Sequence, residues 1–130
     1  MYKNITTNLM VADVERSMDF YQNILGLEVV ASVPGKNQTL QFAILSKAAI
    51  TLMLQEKNNL IEEYPILSTE KIQPSITLYI TVDDFENFCA NLEGQYPIYT
   101  APHTTFYGAK EFAVVDPDGY VLTFTEHKEG

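Results

Sequence analysis

The side chain best placed to do chemistry is Glu111, in the run KEFAVV at residues 110–115. Two-residue alternation places Glu111 and Ala113 on one face of a predicted strand. A carboxylate there could bind a cationic group or act as a general base. It could also simply form an ion pair with Lys110 or another nearby cation at the edge of the strand. The sequence leaves these interpretations open.

Three aromatic residues are candidates for contact with a ligand. Tyr79 lies on the polar face of another predicted strand, where it could stack on a planar molecule or only fill space. Phe106 and Tyr107 precede Gly108 at the entrance to the Glu111 strand. There they could form the rim of a pocket or belong to the core.

Other reactive residue types give weaker signals. His103 and His127 do not belong to a paired metal-ligand motif, and we predict that both are surface residues. Cys89 lies on the apolar stripe of a predicted helix, which indicates a packed and unreactive thiol. The sequence contains no phosphate-binding glycine loop and no nucleotide fingerprint.

An internal repeat predicts the elements that position these residues. TTNLMVADVER at 6–16 matches TLYITVDDFEN at 77–87, and residues 40–54 lie over residues 110–124 without a gap. Each copy contains a strand, a helix and three further strands. We therefore predict one α+β domain, 1–130, with βαβββ modules at 1–56 and 75–128. The connector, 57–74, could be a lid, a short helix or an arm exchanged between subunits.

Cap and turn residues predict where the helices and the last hairpin begin and end. Asp13 and Asp84 are N-cap candidates, and Gly26 and Gly94 are candidate C-terminal stops. The tetrapeptide DPDG at 116–119 predicts a type I turn between two strands.

Alternation within the strands predicts which side chains face the helices. It assigns to this side Ile5, Leu9, Val11, Phe42, Ile44, Ile50, Leu52, Leu54, Ile76, Leu78, Ile80, Phe112, Val114, Leu122 and Phe124. The opposite side, which includes Gln41 and Ala43, is rich in Thr, Asn, Gln and Tyr. A face of this polarity favours a solvent-filled pocket over a packed hydrophobic core.

Composition narrows the classes of function. The 130 residues are 46% hydrophobic and 19% charged, as in ordinary soluble globular proteins. With 17 acidic and 8 basic residues the net charge is −9, which argues against nucleic-acid binding. The charge would favour a cationic ligand, although solubility is the ordinary explanation. Apolar runs are too short for a membrane segment, and a single cysteine favours the cytoplasm.

The repeat, VADVERSMDFYQNILGLEV at 11–29 and YGAKEFAVVDPDGYVLTF at 107–124 together resemble the vicinal oxygen chelate superfamily. Glyoxalase I, extradiol dioxygenases, fosfomycin-resistance proteins and bleomycin-resistance proteins belong to it. The resemblance implies two modules that form a concave eight-stranded mixed sheet around a small-molecule ligand. It also implies a homodimer.

The resemblance also implies where metal ligands would lie. In the metal-dependent members the four ligand positions, usually His, Gln or Glu, correspond here to Thr6, Met53, Thr77 and Thr123. A threonine hydroxyl is a weak donor to divalent metals, and a methionine thioether suits soft metals. We therefore expect neither a metal nor another cofactor, as in the metal-free bleomycin-resistance proteins.

The leading hypothesis is a metal-free small-molecule binding protein that sequesters an antibiotic-like aromatic or cationic compound without catalysis. Its candidate ligand-binding residues are Thr6, Asn8, Met53, Thr77, Tyr79, Phe106, Tyr107, Glu111, Ala113 and Thr123. The alternative is a lyase, isomerase or dioxygenase that uses Glu111 as a base, or unusual ligands such as His103 and Glu126. A third possibility is an interaction module whose hollow is filled by side chains.

Overall fold

The computed structural model describes residues 1–127, which form two compact units, Met1–Ile72 and a second that starts at Gln73. The strands are β1 (Thr7–Val11), β2 (Glu28–Pro34), β3 (Leu40–Lys47), β4 (Ile50–Glu56), β5 (Thr77–Thr81), β6 (Thr100–Thr104), β7 (Ala109–Val115) and β8 (Val121–His127). The helices are α1 (Val14–Leu25), α2 (Lys57–Glu63) and α3 (Phe85–Glu93).

Each unit contains one four-stranded mixed sheet. The strand order is β1-β4-β3-β2 in the first and β5-β8-β7-β6 in the second. The β1–β4 and β5–β8 pairs are parallel, and the other pairs are antiparallel. The predicted α+β class and the βαβββ order of both modules are confirmed. The predicted end of the second module, residue 128, lies outside the described residues.

The connector contains a short helix, which was one of its three predicted forms. It contains α2 and a 3₁₀ turn at Pro65–Leu67. The Glu56 carboxylate accepts hydrogen bonds from the backbone N–H groups of Asn58 and Asn59 and so caps α2. No helix in residues 1–127 has the length and apolar character needed to span a membrane.

The signals at both ends of α1 are confirmed. The Asp13 carboxylate accepts a hydrogen bond from the Arg16 backbone N–H at 3.0 Å. Gly26 adopts a left-handed conformation with φ of 68°, which glycine tolerates because it lacks a Cβ. The buried stripe of the helix consists of Val14, Ser17, Tyr21 and Ile24.

The start of α3 is capped differently from the prediction. Asp84 precedes the helix, but its backbone is left-handed and its side chain does not cap a helical N–H. Instead the Glu126 carboxylate, on β8, accepts the Phe85 N–H at 3.0 Å. The cap therefore comes from a residue distant in sequence, which a local pattern does not reveal.

The prediction that Phe42 and Ile44 face the helix of their module is wrong. Ala43 and Leu45 are fully buried and lie opposite Leu54 and Leu52 of β4, whereas Phe42 and Ile44 are half-buried. The β3–β4 hairpin is one residue shorter than the β7–β8 hairpin between corresponding pairs, Ser46–Thr51 and Val115–Val121. The gapless repeat alignment therefore shifts β3 by one residue, which exchanges its two faces.

Two isoleucines predicted to face the helices lie outside the strands. Ile5 is 96% exposed and precedes β1, and Ile76 is exposed and precedes β5. Both strands begin later than the alternation predicts, so these side chains lie beyond the packed surface.

The core of the second unit is aromatic on the face that packs against α3. Phe112 and Phe124, opposite each other on β7 and β8, have ring centroids 5.2 Å apart. Phe85 and Phe88 of α3 contact them at 5.3 Å and 4.7 Å respectively. We call the sheet faces turned away from α1 and α3 the far faces. Because side chains alternate along β7, burial of Phe112 turns Glu111 towards the far face.

The predicted hairpin after β7 is confirmed. The Asp116 carboxylate accepts hydrogen bonds from the N–H groups of Asp118 and Tyr120, both at 2.9 Å. Gly119 has a φ of 98° and donates to the Asp116 carbonyl. This turn sets the register that places Glu111 opposite Thr125.

Candidate functional site

The far face of the second sheet carries a carboxylate held by two tyrosines. Glu111 Oε2 accepts hydrogen bonds from the hydroxyls of Tyr79 and Tyr107, both at 2.6 Å. The Tyr79 hydroxyl is also 3.2 Å from Thr125 Oγ1 and 3.3 Å from His127 Nε2. Three strands and the loop before β7 thus contribute to one connected network.

The second carboxylate oxygen of Glu111 remains available. Within residues 1–127 no group donates a hydrogen bond to Oε1, since both donors approach Oε2. In the same range every fully buried polar side-chain atom has a partner, so Oε1 must reach solvent. Glu111 is nevertheless 9% exposed as a residue. One anionic oxygen of this mostly buried side chain is therefore accessible to solvent.

Aromatic rings lie next to this carboxylate, since both tyrosines that bind it belong to a group of contacting rings. The ring of Tyr107 stacks on that of His127, with centroids 6.3 Å apart and planes inclined by 24°. Phe106 meets Tyr107 edge to face at 5.0 Å and is fully exposed. Tyr79 and Tyr107 are each about half exposed. We call Tyr79, Phe106, Tyr107, Glu111 and His127 the carboxylate site.

Hydrogen bonding makes the carboxylate site anionic. The Tyr107 hydrogen bond, and then that of Tyr79, lowers the pKa of Glu111, while burial opposes them and His103 and His127 contribute less. The same bond to Glu111 raises the pKa of Tyr107 to about 12. At neutral pH the carboxylate is ionised and the tyrosine is protonated. A carboxylate so stabilised is a weak proton acceptor.

The structure bears on two earlier hypotheses, the ion pair of Glu111 with Lys110 and the metal site with His103 and Glu126. Lys110 forms its ion pair with Glu86 of α3, so it does not neutralise Glu111. Glu126 caps α3 on the helix-facing side of β8, whereas His103 lies opposite Glu111 in the β6–β7 register. His103 and Glu126, the example of unusual metal ligands in the alternative hypothesis, therefore lie on opposite faces of the sheet.

The remaining candidates of the second unit lie beside the carboxylate site or at the strand end. Ala113 and Thr123 are opposite each other on β7 and β8, and Thr123 is also the register partner of Tyr79. Thr77 is exposed at the start of β5, opposite Val121. The far face thus combines small residues, hydroxyls and the carboxylate network.

The candidates of the first unit lie along β1 and β4. Asn8 and Met53 are register partners, and Thr6 immediately precedes β1. Asn8 donates a hydrogen bond to Gln55 at 2.8 Å. Gln55, Asn59, Gln41 and Glu63 form a further amide network that the sequence did not indicate.

The side chains at the family's four ligand positions do not fit a divalent metal. Thr6, Thr77 and Thr123 offer neutral hydroxyls, and Met53 offers a thioether. Among the described residues, no three His, Cys, Asp or Glu side chains group closely enough to hold an ion. The residue types at these four positions therefore differ from the metal ligands that the resemblance implies there.

Sequence reasoning missed His127 as a member of the carboxylate site and did not single out Thr125, which lies 3.2 Å from the Tyr79 hydroxyl. Thr123, Thr125 and His127 follow one another at intervals of two residues along β8, which places all three on the far face. The same alternation that selected Glu111 could have selected His127, but the lack of a paired metal-ligand motif led to the prediction of a surface residue without a function. Cys89 is buried, as predicted, and burial raises the pKa of its thiol.

We expect the Tyr107 hydroxyl to stay protonated at a pH of about 11, above the usual tyrosine pKa of about 10. NMR titration of its ring signals measures this. The stability that the raised pKa contributes is present below the unfolded value and is lost as pH rises towards the folded value of about 12. In Glu111→Gln the Tyr107 pKa should fall, and an unchanged titration would contradict the hydrogen-bond assignment.

Comparisons with known proteins agree with the fold. The model of the Glyoxalase/Bleomycin resistance protein/Dioxygenase superfamily matches residues 5–124. No curated protein matches the sequence. Solved structures that match include a glyoxalase/bleomycin resistance protein/dioxygenase from Nocardioides, with 20% identity and a TM-score of 0.79 over 100% of this chain and 87% of that one.

Two further structures have similar coverage. A lactoylglutathione lyase from Agrobacterium tumefaciens is 18% identical with a TM-score of 0.70, over 95% of this chain and 92% of that one. TioX from Micromonospora sp. ML1 is 15% identical with a TM-score of 0.71, over 98% of this chain and 100% of that one. At these identities the similarity establishes the fold alone.

Proposed function

The chain belongs to the Glyoxalase/Bleomycin resistance protein/Dioxygenase superfamily, and we propose that it binds a planar, cationic small molecule at the carboxylate site without a metal ion. Members of this family bind small-molecule ligands. The observation that carries the proposal is the solvent-accessible Oε1 of a carboxylate whose other oxygen is held by two half-exposed tyrosines.

Charge supports a cationic ligand. The Glu111 carboxylate is ionised at neutral pH, and Lys110 pairs with Glu86 instead. A ligand cation beside Oε1 would form an ion pair with a mostly buried side chain, where the attraction between opposite charges is stronger than in bulk water. The net charge of −9 would also attract cations from a distance.

The exposed rings support a planar ligand. Tyr79, Phe106 and Tyr107 present aromatic surface that costs free energy to leave in water. Aromatic faces stack on planar molecules and attract cations, by about 0.5–1 kcal/mol for each exposed contact. A flat cation satisfies the carboxylate and the rings together, which a neutral or globular molecule does not.

The same geometry argues against the enzyme alternative in which Glu111 is a base. Two tyrosine hydroxyls already donate to its Oε2, and they lower the pKa of the carboxyl group. A general base works best with a pKa near the operating pH, far above that of such a carboxylate.

We propose that the protein binds its ligand without turnover and so sequesters an antibiotic-like compound. We also propose a cytoplasmic homodimer that does not bind nucleic acid.

The direct test uses N-methylquinolinium, with uncharged 2-methylquinoline as its control. Isothermal titration should give saturable heat with the cation and much less with the neutral analogue, because only the cation pairs with Glu111. Bleomycin-type compounds in the same assay test the narrower hypothesis of antibiotic sequestration. Equal binding of both quinolines, or binding of neither, would refute the proposal.

We expect the protein to contain far less than one equivalent of divalent metal when it is purified without chelators. Threonine and methionine at the four family positions lack the imidazole and carboxylate donors that such metals need. Elemental analysis by mass spectrometry measures the content. Stoichiometric zinc, nickel, manganese or iron would contradict the metal-free proposal.

A further inference from the structure

A cavity of about 350 Å³ lies within the first unit. Its apolar walls come from Val33, Phe42, Met53 and Tyr64. Its polar lining consists of Asn8, Gln41, Gln55, Asn59 and Glu63. We call this the amide cavity. None of its residues belongs to the carboxylate site, so its function can be argued independently.

The amide cavity is built around Gln55, whose side chain is buried. Gln55 Nε2 donates to Asn59 Oδ1 at 2.7 Å and to Glu63 Oε1 at 3.1 Å. Gln55 Oε1 accepts from Asn8 Nδ2 at 2.8 Å. Both N–H groups of Gln55 are therefore used, which holds this amide in one orientation.

The direction of the whole network follows from Glu63. A carboxylate only accepts hydrogen bonds, so the group of Gln55 that faces it must be the NH₂. Asn59 then accepts from Gln55 through its oxygen and donates through Nδ2 to Gln41 Oε1 at 3.2 Å. The same logic fixes Asn8, whose NH₂ faces Gln55 Oε1.

This directed network leaves complementary groups at its two ends. Within the described residues, Asn8 Oδ1 receives no hydrogen bond and the Gln41 NH₂ donates none. Asn8 is exposed and Gln41 is half-buried, so both can reach a bound molecule. The cavity thus presents an acceptor and a donor, fixed in place by buried Gln55.

We propose that the amide cavity is a recognition site for an uncharged ligand, or part of one, that carries a carboxamide or lactam group beside an apolar ring. The ligand N–H would donate to Asn8 Oδ1 and its C=O would accept from Gln41, while the ring packs against Phe42, Met53 and Tyr64. Gln55 acts as a positioning residue, since it orients the amides that touch the ligand.

Benzamide is the probe, and N,N-dimethylbenzamide, which cannot donate, is the matched control compound. In ¹H–¹⁵N NMR titrations the side-chain NH₂ signals of Asn8 and Gln41 should shift saturably with benzamide and much less with the control. Asn8→Ala and Gln41→Ala should each weaken benzamide binding roughly fivefold, the effect of one lost neutral hydrogen bond.

Asn58→Ala is the control variant. Asn58 is exposed and lies next to Asn59 on α2, but it does not line the amide cavity. It should leave benzamide binding unchanged. The proposal is overturned if benzamide causes no saturable shift at the amide cavity, or if benzamide and N,N-dimethylbenzamide bind equally. It is also overturned if Asn58→Ala weakens benzamide binding as much as Asn8→Ala and Gln41→Ala do.

Discussion

Glu111→Gln is expected to weaken N-methylquinolinium binding about 30-fold, equivalent to about 2 kcal/mol for one ion pair at a partly solvent-accessible oxygen. The substitution keeps the shape and the two tyrosine contacts of the side chain but removes its charge. Isothermal titration at neutral pH measures the change. Binding of the cation should also weaken as pH falls through the lowered pKa of Glu111, since protonation removes the same charge.

Glu28→Gln is the matched control, because it removes the same unit of charge from an exposed position on β2. If long-range attraction by the net charge of −9 explained the affinity, both variants would weaken binding equally. A Glu111→Gln protein that binds as tightly as the original would eliminate the carboxylate as the anchor.

The largest expected effect on stability is that of Phe112→Ala, about 3–5 kcal/mol of unfolding free energy. Phe112 is completely buried and contacts Phe85, Phe88 and Phe124. Removal of the Phe112 ring leaves a cavity between β7 and α3, which the surrounding rings cannot fill without moving. Denaturant unfolding followed by circular dichroism measures the loss, with Phe112→Leu as a milder variant that costs about 1 kcal/mol.

Phe106→Ala is the control for this change, because Phe106 is fully exposed. We expect a change within about 0.5 kcal/mol. Its effect should instead be on binding at the carboxylate site, where it removes one aromatic surface. Equal destabilisation by Phe112→Ala and Phe106→Ala would mean that the aromatic cluster under β7 is not the core of the second unit.

The sequence contained enough information for the order of elements and for several of their ends. Asp13 and Gly26 act on backbone groups within one helical turn, and Asp116 and Gly119 close their turn in the same local way. Such signals depend on neighbours along the chain, so pattern alone recovers them. The repeat added the module order, because each copy contains the same local signals.

The individual members of the carboxylate site were also within reach of the sequence. Tyr79, Tyr107 and Glu111 were each candidates, on the basis of alternation and position. Their convergence on a single oxygen, Oε2, was not, since it depends on the pairing of β5 with β8 and β8 with β7. That convergence determines the ionisation of Glu111 and hence the preference for a cation over base catalysis.

The tertiary structure alone decided the features that depend on register and on distant partners. A hairpin shorter by one residue exchanged the faces of β3 and buried Ala43 in place of Phe42. Glu126 replaced Asp84 as the cap of α3. Local sequence specifies conformations within a few residues, whereas strand pairing and long-range hydrogen bonds are selected by the packing of the whole unit.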